Sequence, residues 1–171
     1  VVEEIRSTAQ LMLEGGADHI GLADLRRGLD ELGTVRSMLL MEYLDGCEYS
    51  VDCVADHGRL VCAIPRKKPK LAGRGQTIDE QPAMHAATAR LVARFGLNGL
   101  INVQFRDGHN GLRLLEINPR MSGGIAMACL AGPNLPWLAL NGFDKGFDGI
   151  QVPPIRVGIR VGETLRAVEW L

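Results

Sequence analysis

Glu116, Asn118 and Arg120 stand two residues apart in the run Leu115-Glu116-Ile117-Asn118-Pro119-Arg120. A strand turns successive side chains to opposite faces, so these three share one face while Leu115 and Ile117 point into a core. Two steps along a strand cover about 6.6 Å, which lets a carboxylate and an amide oxygen grip one cation with a guanidinium just beyond. Hard cations such as Mg²⁺ take oxygen ligands and carry substrate phosphates with them. Pro119 fixes φ and ends the ladder, releasing the chain into the glycine-rich turn Met121-Ser122-Gly123-Gly124. The competing reading is a half-buried strand whose polar face meets only water.

A second run alternates in the same way: Asn102, Gln104 and Arg106 against Ile101, Val103 and Phe105. An antiparallel register that pairs even with even positions sets Gln104 beside Glu116 and Asn118, and a slip of one residue sends them to opposite faces. One carboxylate with two amide oxygens makes a cage of modest charge, suited to Mg²⁺ shared with a polyphosphate. Taken singly, Gln104 is an ordinary strand glutamine.

Two further stretches carry chemistry. In Leu39-Leu40-Met41-Glu42-Tyr43-Leu44-Asp45-Gly46-Cys47-Glu48, an apolar strand ending at a turn offers backbone groups to a planar ring, with Met41 and Leu44 as walls. Glu48 then lies where ribose hydroxyls could be accepted; a hairpin with surface acids explains the same pattern. The basic segment 66–74 contains Arg66, Lys67, Lys68 and Gly73. It reads either as a solvated face or as a loop clamping phosphoryl groups. His19, His57, His85 and His109 have no nucleophile beside them, and Ser122 is not in a nucleophile elbow. Covalent catalysis is not expected.

The elements that must position these residues follow from periodicity. Residues 2–14 carry a helical stripe ended by Gly15-Gly16, and a second helix starts near Ala23 and closes at Gly33. Residues 37–44 read as a short buried strand, 49–54 and 59–64 as a hairpin about Asp56-His57-Gly58, and 65–75 as a loop. Pro82 opens a helix over 83–95, with Met84, Ala87, Leu91 and Phe95 on one face and Gly96 as its cap. Strands follow at 100–106 and 112–118, short helices at 125–130 and 135–140, and a weakly alternating tail that adds a final strand pair. The expected class is α+β: a mostly antiparallel sheet with helices packed on one side.

Composition excludes more than it assigns. The 171 residues suffice for one sizeable core or one domain with a satellite. A net charge of −1 and 5% aromatics argue against nucleic acid and against an anionic membrane surface. Cys47, Cys53, Cys62 and Cys129 show no zinc spacing, and Cys53 and Cys62 read as small buried hydrophobes. That usage fits a reducing cytosol, so a cytoplasmic location is the expectation. The opening Val1-Val2-Glu3-Glu4-Ile5 reads as mid-helix, as expected for a piece of something longer.

In this order, Met41 to Tyr49, Asn102-Val103-Gln104-Phe105 and Leu115 to Arg120 resemble the C-terminal part of an ATP-grasp domain, closest to the type in the carbamoyl phosphate synthase large subunit. The resemblance runs from about Leu39 to Leu140. It implies an ATP-grasp C-terminal subdomain over 37–171, behind a helical lead-in at 1–36 left from a truncated domain. It implies adenine held by Glu42 and the backbone of Met41, Tyr43 and Leu44, and ribose held by Glu48. Arg66 and Lys68 would contact the nucleotide, and Gln104, Glu116 and Asn118 would hold Mg²⁺, with Mn²⁺ an alternative. Arg120 would steady the transferred phosphoryl group.

The implied activity is an ATP-dependent carboxylate–amine ligase that makes an acyl phosphate for a nitrogen nucleophile. Its partners are small-molecule carboxylate and amine substrates and the missing N-terminal part of the same protein; a homodimer is allowed, nucleic acid and membrane are not. The family's phosphate-binding subdomain would precede residue 1, so this stretch alone is expected to be inactive. Pro65-Arg66-Lys67-Lys68 and Arg120-Met121-Ser122-Gly123-Gly124 depart from the synthase pattern and leave the acceptor open. A non-catalytic nucleotide-binding or interaction module on the same fold is the alternative.

Overall fold

The computed structural model describes residues 20–34, 37, 41–69 and 75–164. The chain forms two compact units, Val1–Glu42 and Tyr43–Leu171. In the first, α1 (Leu22–Leu32) follows the expected leucine spacing and stops at Gly33, whose φ of 67° suits a residue without Cβ. The helix expected over 2–14 lies outside the described residues.

The second unit is built on a six-stranded antiparallel sheet ordered β5-β4-β1-β2-β3-β6. Its strands are β1 (Glu48–Asp56), β2 (Arg59–Lys67), β3 (Gln76–Ile78), β4 (Gly99–Gly108), β5 (Gly111–Asn118) and β6 (Arg160–Val161). A two-residue turn joins β1 to β2, with positive φ at both His57 and Gly58, the geometry whose twist matches the flanking strands. Odd positions of the central strands face one core: Tyr49, Val51, Cys53, Ala63, Ile101, Val103 and Phe105. α2 (Pro82–Phe95) covers it with Met84 and Val92, starting on Pro82 and ending at Gly96 in the left-handed region. Phe95, expected on that face, is exposed.

The sheet is α+β and antiparallel as expected, but helices lie on both of its faces. Val54, Cys62, Ile64 and Ile78 occupy the other face, and four apolar side chains there require a cover. α3 (Ile125–Cys129) and α4 (Leu135–Lys145) supply it with Met127, Ala128, Leu135 and Leu138. The Asn134 side chain caps α4, accepting from the Trp137 N–H at 3.1 Å. Gly142 is buried where a Cβ would overlap the Phe147 ring, itself edge-on to Phe143 at 5.1 Å. Gly142→Ala should therefore cost about 1–3 kcal/mol of stability, read as a lowered melting temperature.

Three local expectations are corrected. Residues 41–45 form no strand, and Met41 and Tyr43 are exposed while Leu44 is buried; residues 38–40 lie outside the described set. Apolar content was the only signal there; Leu44 instead accepts from the Arg106 side chain, and the adjoining Gly46 and Cys47 make single backbone bonds to Asp107. The basic segment is not wholly a loop: Pro65, Arg66 and Lys67 continue β2, because they keep the ladder to Val51, Ser50 and Tyr49. Among the described residues the tail contributes β6 alone, paired to β3. Among the described residues no helix is long and apolar enough to cross a membrane.

Candidate nucleotide and metal site

The face covered by α3 and α4 changes character along its length. Beyond the apolar patch, the same parity presents Glu48, Ser50 and Asp52 on β1, Asn102, Gln104 and Arg106 on β4, and Arg66 on β2. Cross-strand pairing joins them: Glu48 to Arg106, Ser50 to Gln104 and to Arg66, Asp52 to Asn102. Gln104 pairs directly with Glu116, and Asn102 with Asn118, so the even-with-even register is present. Residues directly opposite have Cβ atoms about 5 Å apart, close enough for one cation. A bulge follows at once, between Gln104 and Phe105, leaving Leu115 as the extra residue. Bulges bend and re-aim the strand that carries them, and this one adjoins the Glu116 carboxylate.

Asn118 donates Nδ2–H to Glu116 Oε1 at 2.7 Å, and Gln104 donates Nε2–H to Asn102 Oδ1 at 3.2 Å. Both bonds use amide nitrogens, so the amide oxygens stay available as donors to a cation. One carboxylate and two amide oxygens form an all-oxygen set, the kind Mg²⁺ accepts when phosphates complete its shell. Among the described residues no three His, Cys, Asp or Glu side chains cluster as a metal site. Arg120 is exposed in the turn after β5, its Nη1 donating to the Met121 carbonyl at 3.0 Å.

Glu48 is held from two sides. Arg106 Nη2 donates to Oε2 at 2.7 Å, and Lys68 Nζ donates to Oε1. Burial is the largest single influence and would raise its pKa; the hydrogen bonds and charges of Lys68 and Arg106 together outweigh it and hold the carboxyl below 4.5. A depressed carboxylate contributes stability above its unfolded pKa and loses it as pH falls through the folded value. The stability gap between wild type and Glu48→Gln should thus be full at neutral pH and shrink as pH falls below the ordinary glutamate range near about 4.3, as urea titrations at several pH values would show. Arg106 also donates to the Leu44 carbonyl at 3.0 Å, while Gly46 N–H and Asp107 N–H bond to Asp107 and Cys47 carbonyls. The 44–47 segment is therefore tied to β4 without being a strand.

Arg66 is the largest departure from expectation. It is no loop residue reaching for phosphates: its side chain is 2% exposed and faces Asp52, 1% exposed, which accepts from Nε at 2.9 Å and Nη2 at 2.7 Å. Nη2 also approaches Ser50 Oγ (3.1 Å) and Ser122 Oγ (3.0 Å), and Nη1 donates to Gln76. Asn102 joins by donating to Ser50 and Asp52. A Cβ at Gly124 would lie 2.6 Å from Nη1, so the glycine turn after the Glu116 strand closes directly over this guanidinium.

Asp52, Ser50, Gln76 and Ser122 were not expected in the site. One signal did exist: Asp52 and Arg66 share parity with Val54 and Ile64 two residues away, so their face could not be open solvent throughout.

This sheet, with a polar band beside a capped apolar patch, is that of an ATP-grasp subdomain. The family model described as ATP-grasp in the biosynthetic pathway with Ter operon matches residues 34–167, and the chain belongs to that family. Carnosine synthase 1 of Gallus gallus is 36% identical over 138 residues, 72% of this chain and 14% of the relative. Carnosine synthase 1 of Homo sapiens is 35% identical over 123 residues, 65% and 14%. The chain thus spans about 14% of the length of these curated relatives. Among solved structures, the fold is shared with N5-carboxyaminoimidazole synthetase from Staphylococcus aureus complexed with ADP: TM-score 0.51, 16% identity, 75% of this chain and 38% of that one. It is shared too with the biotin carboxylase domain of a single-chain bacterial carboxylase: TM-score 0.50, 13% identity, 78% and 39%.

Proposed function

We propose that the chain forms the metal- and nucleotide-holding half of an ATP-dependent carboxylate–amine ligase. The observation that carries this is the direct pairing of Gln104 with Glu116, with Asn118 on the same face. Likeness to carnosine synthase 1 supports ligation as the reaction. In this reading Gln104, Glu116 and Asn118 hold Mg²⁺, which when bound neutralises the phosphate charge of ATP. Glu48 accepts the ribose hydroxyls through the second lone pairs of its clamped oxygens. The backbone of Tyr43 and Leu44 holds adenine. Lys68 adds positive charge on the nucleotide side, and Arg66 acts through the Ser122 turn rather than by touching phosphate.

Arg120, just past the metal donors, steadies the transferred phosphoryl group as the carboxylate becomes an acyl phosphate. Such a step needs positioning and charge neutralisation, with no protein nucleophile, which suits a site built of amides, acids and guanidinia. The test uses the intact polypeptide, ATP and a panel of amino acids, which carry both reacting groups. Phosphate release should require a carboxylate and an amine together, and ¹⁸O from a labelled carboxylate should appear in the phosphate. Release without transfer of label would refute the acyl phosphate; no release with any pair would refute the ligase.

A further inference from the structure

We propose that Arg106 is the residue that orients the nucleotide's base and ribose: it ties the Leu44 backbone to the Glu48 carboxylate and lends its guanidinium plane to the purine ring. This rests on the nucleotide reading above and gives it a positioning residue. Arg106 lies opposite Glu48 in the β1–β4 ladder, two residues from Gln104 on the same face. Its two terminal nitrogens are committed in different directions, Nη1 to the Leu44 carbonyl at 3.0 Å and Nη2 to Glu48 at 2.7 Å. Nε is buried without a hydrogen-bond partner, so the terminal nitrogens alone fix the plane.

An ion pair for Glu48 does not require this arrangement, since Lys68 already provides one. What Arg106 adds is a bridge from the carboxylate to a segment that has no strand ladder of its own. A planar fork reaches acceptors in two fixed directions from separate nitrogens, whereas an ammonium presents its three donors from a single point. The side chain remains 31% exposed, on the face where a nucleotide would lie. A guanidinium held edge-on by its acceptors keeps its flat surface for an aromatic ring, and purines are attracted to such a cation. Base and ribose are then located by one side chain through three contacts.

The experiment titrates the intact polypeptide calorimetrically with Mg·ADP and, separately, with Mg·tripolyphosphate, which has no base or sugar. Arg106→Lys should weaken Mg·ADP about tenfold and leave Mg·tripolyphosphate unchanged, with KM for ATP raised and kcat kept. Arg106→Met should move the same readouts further. Variants that bind Mg·ADP like wild type overturn the proposal while the nucleotide site stands. Equal losses for both probes also overturn it, because they mark a general structural role. Wild type that binds neither probe overturns the nucleotide site and this role together.

Discussion

Alanine at position 116 is expected to lower magnesium-dependent turnover of the intact protein by about a thousandfold. Glu116 is the one carboxylate in the candidate cage; Gln104 and Asn118 are neutral donors. Without it, a cation that must leave water for a phosphate-bridging position has no compensating charge from the protein. Glu116→Gln keeps an oxygen donor and loses the charge, so it should fall nearly as far. Gln104→Glu restores a carboxylate directly across the ladder, and adding it to Glu116→Gln should recover part of the loss. Because Glu116 is exposed and, among the described residues, its side chain bonds only to Asn118, the melting temperature should barely move. Steady-state kinetics over a magnesium titration decide the matter: turnover within tenfold of wild type would remove Glu116 from the metal site.

Asp52→Ala should act on folding rather than on the metal, costing about 3–5 kcal/mol because it leaves the Arg66 guanidinium buried without its counter-charge. Arg66 would keep Gln76, Ser50 and Ser122, which are neutral acceptors and offset only part of that. Replacing both members, Asp52→Leu with Arg66→Met, should restore much of the stability, since apolar side chains of similar volume often equal a buried pair. Activity should stay low in the double variant, because Ser122 and the turn over Arg66 lose their anchor. Urea denaturation of the intact protein reads the first effect and ATP turnover the second. A loss below about 1 kcal/mol for Asp52→Ala would mean that the pair behaves as a surface contact.

Much of this architecture was legible in the chain itself, for reasons that differ by element. The β4–β5 hairpin was readable because Ile101, Val103 and Phe105 alternate strictly with polar residues. Its register was not set by the turn, which pairs Gly108 with Gly111; the even-with-even pairing of Gln104 with Glu116 comes from the bulge at Leu115. α2 was readable from Pro82 and Gly96 at its ends. The 41–44 segment misled because Met41 and Leu44 are apolar, yet what orders the following residues is bonding to Arg106 and Asp107, some 60 positions away. The Asp52–Arg66 pair was hidden for a related reason. Local alternation assigns a face, not what covers it, and the cover here is the turn at Ser122 and Gly124. The second helical layer was missed on the same ground: Val54, Cys62, Ile64 and Ile78 mark a second apolar surface only when their parity is compared across three strands.

The donors proposed for the cation are divided between β4, flanked by neighbours on both sides, and β5, which closes the sheet at its margin. A peripheral strand peels open at lower free energy than an interior one. An ion bridging Gln104 to Glu116 would act as a rivet across that seam, so the amide protons of β5 should exchange with deuterium more slowly when magnesium nucleotide is present. Occupancy of the pocket would thereby be written into the stiffness of the sheet's border.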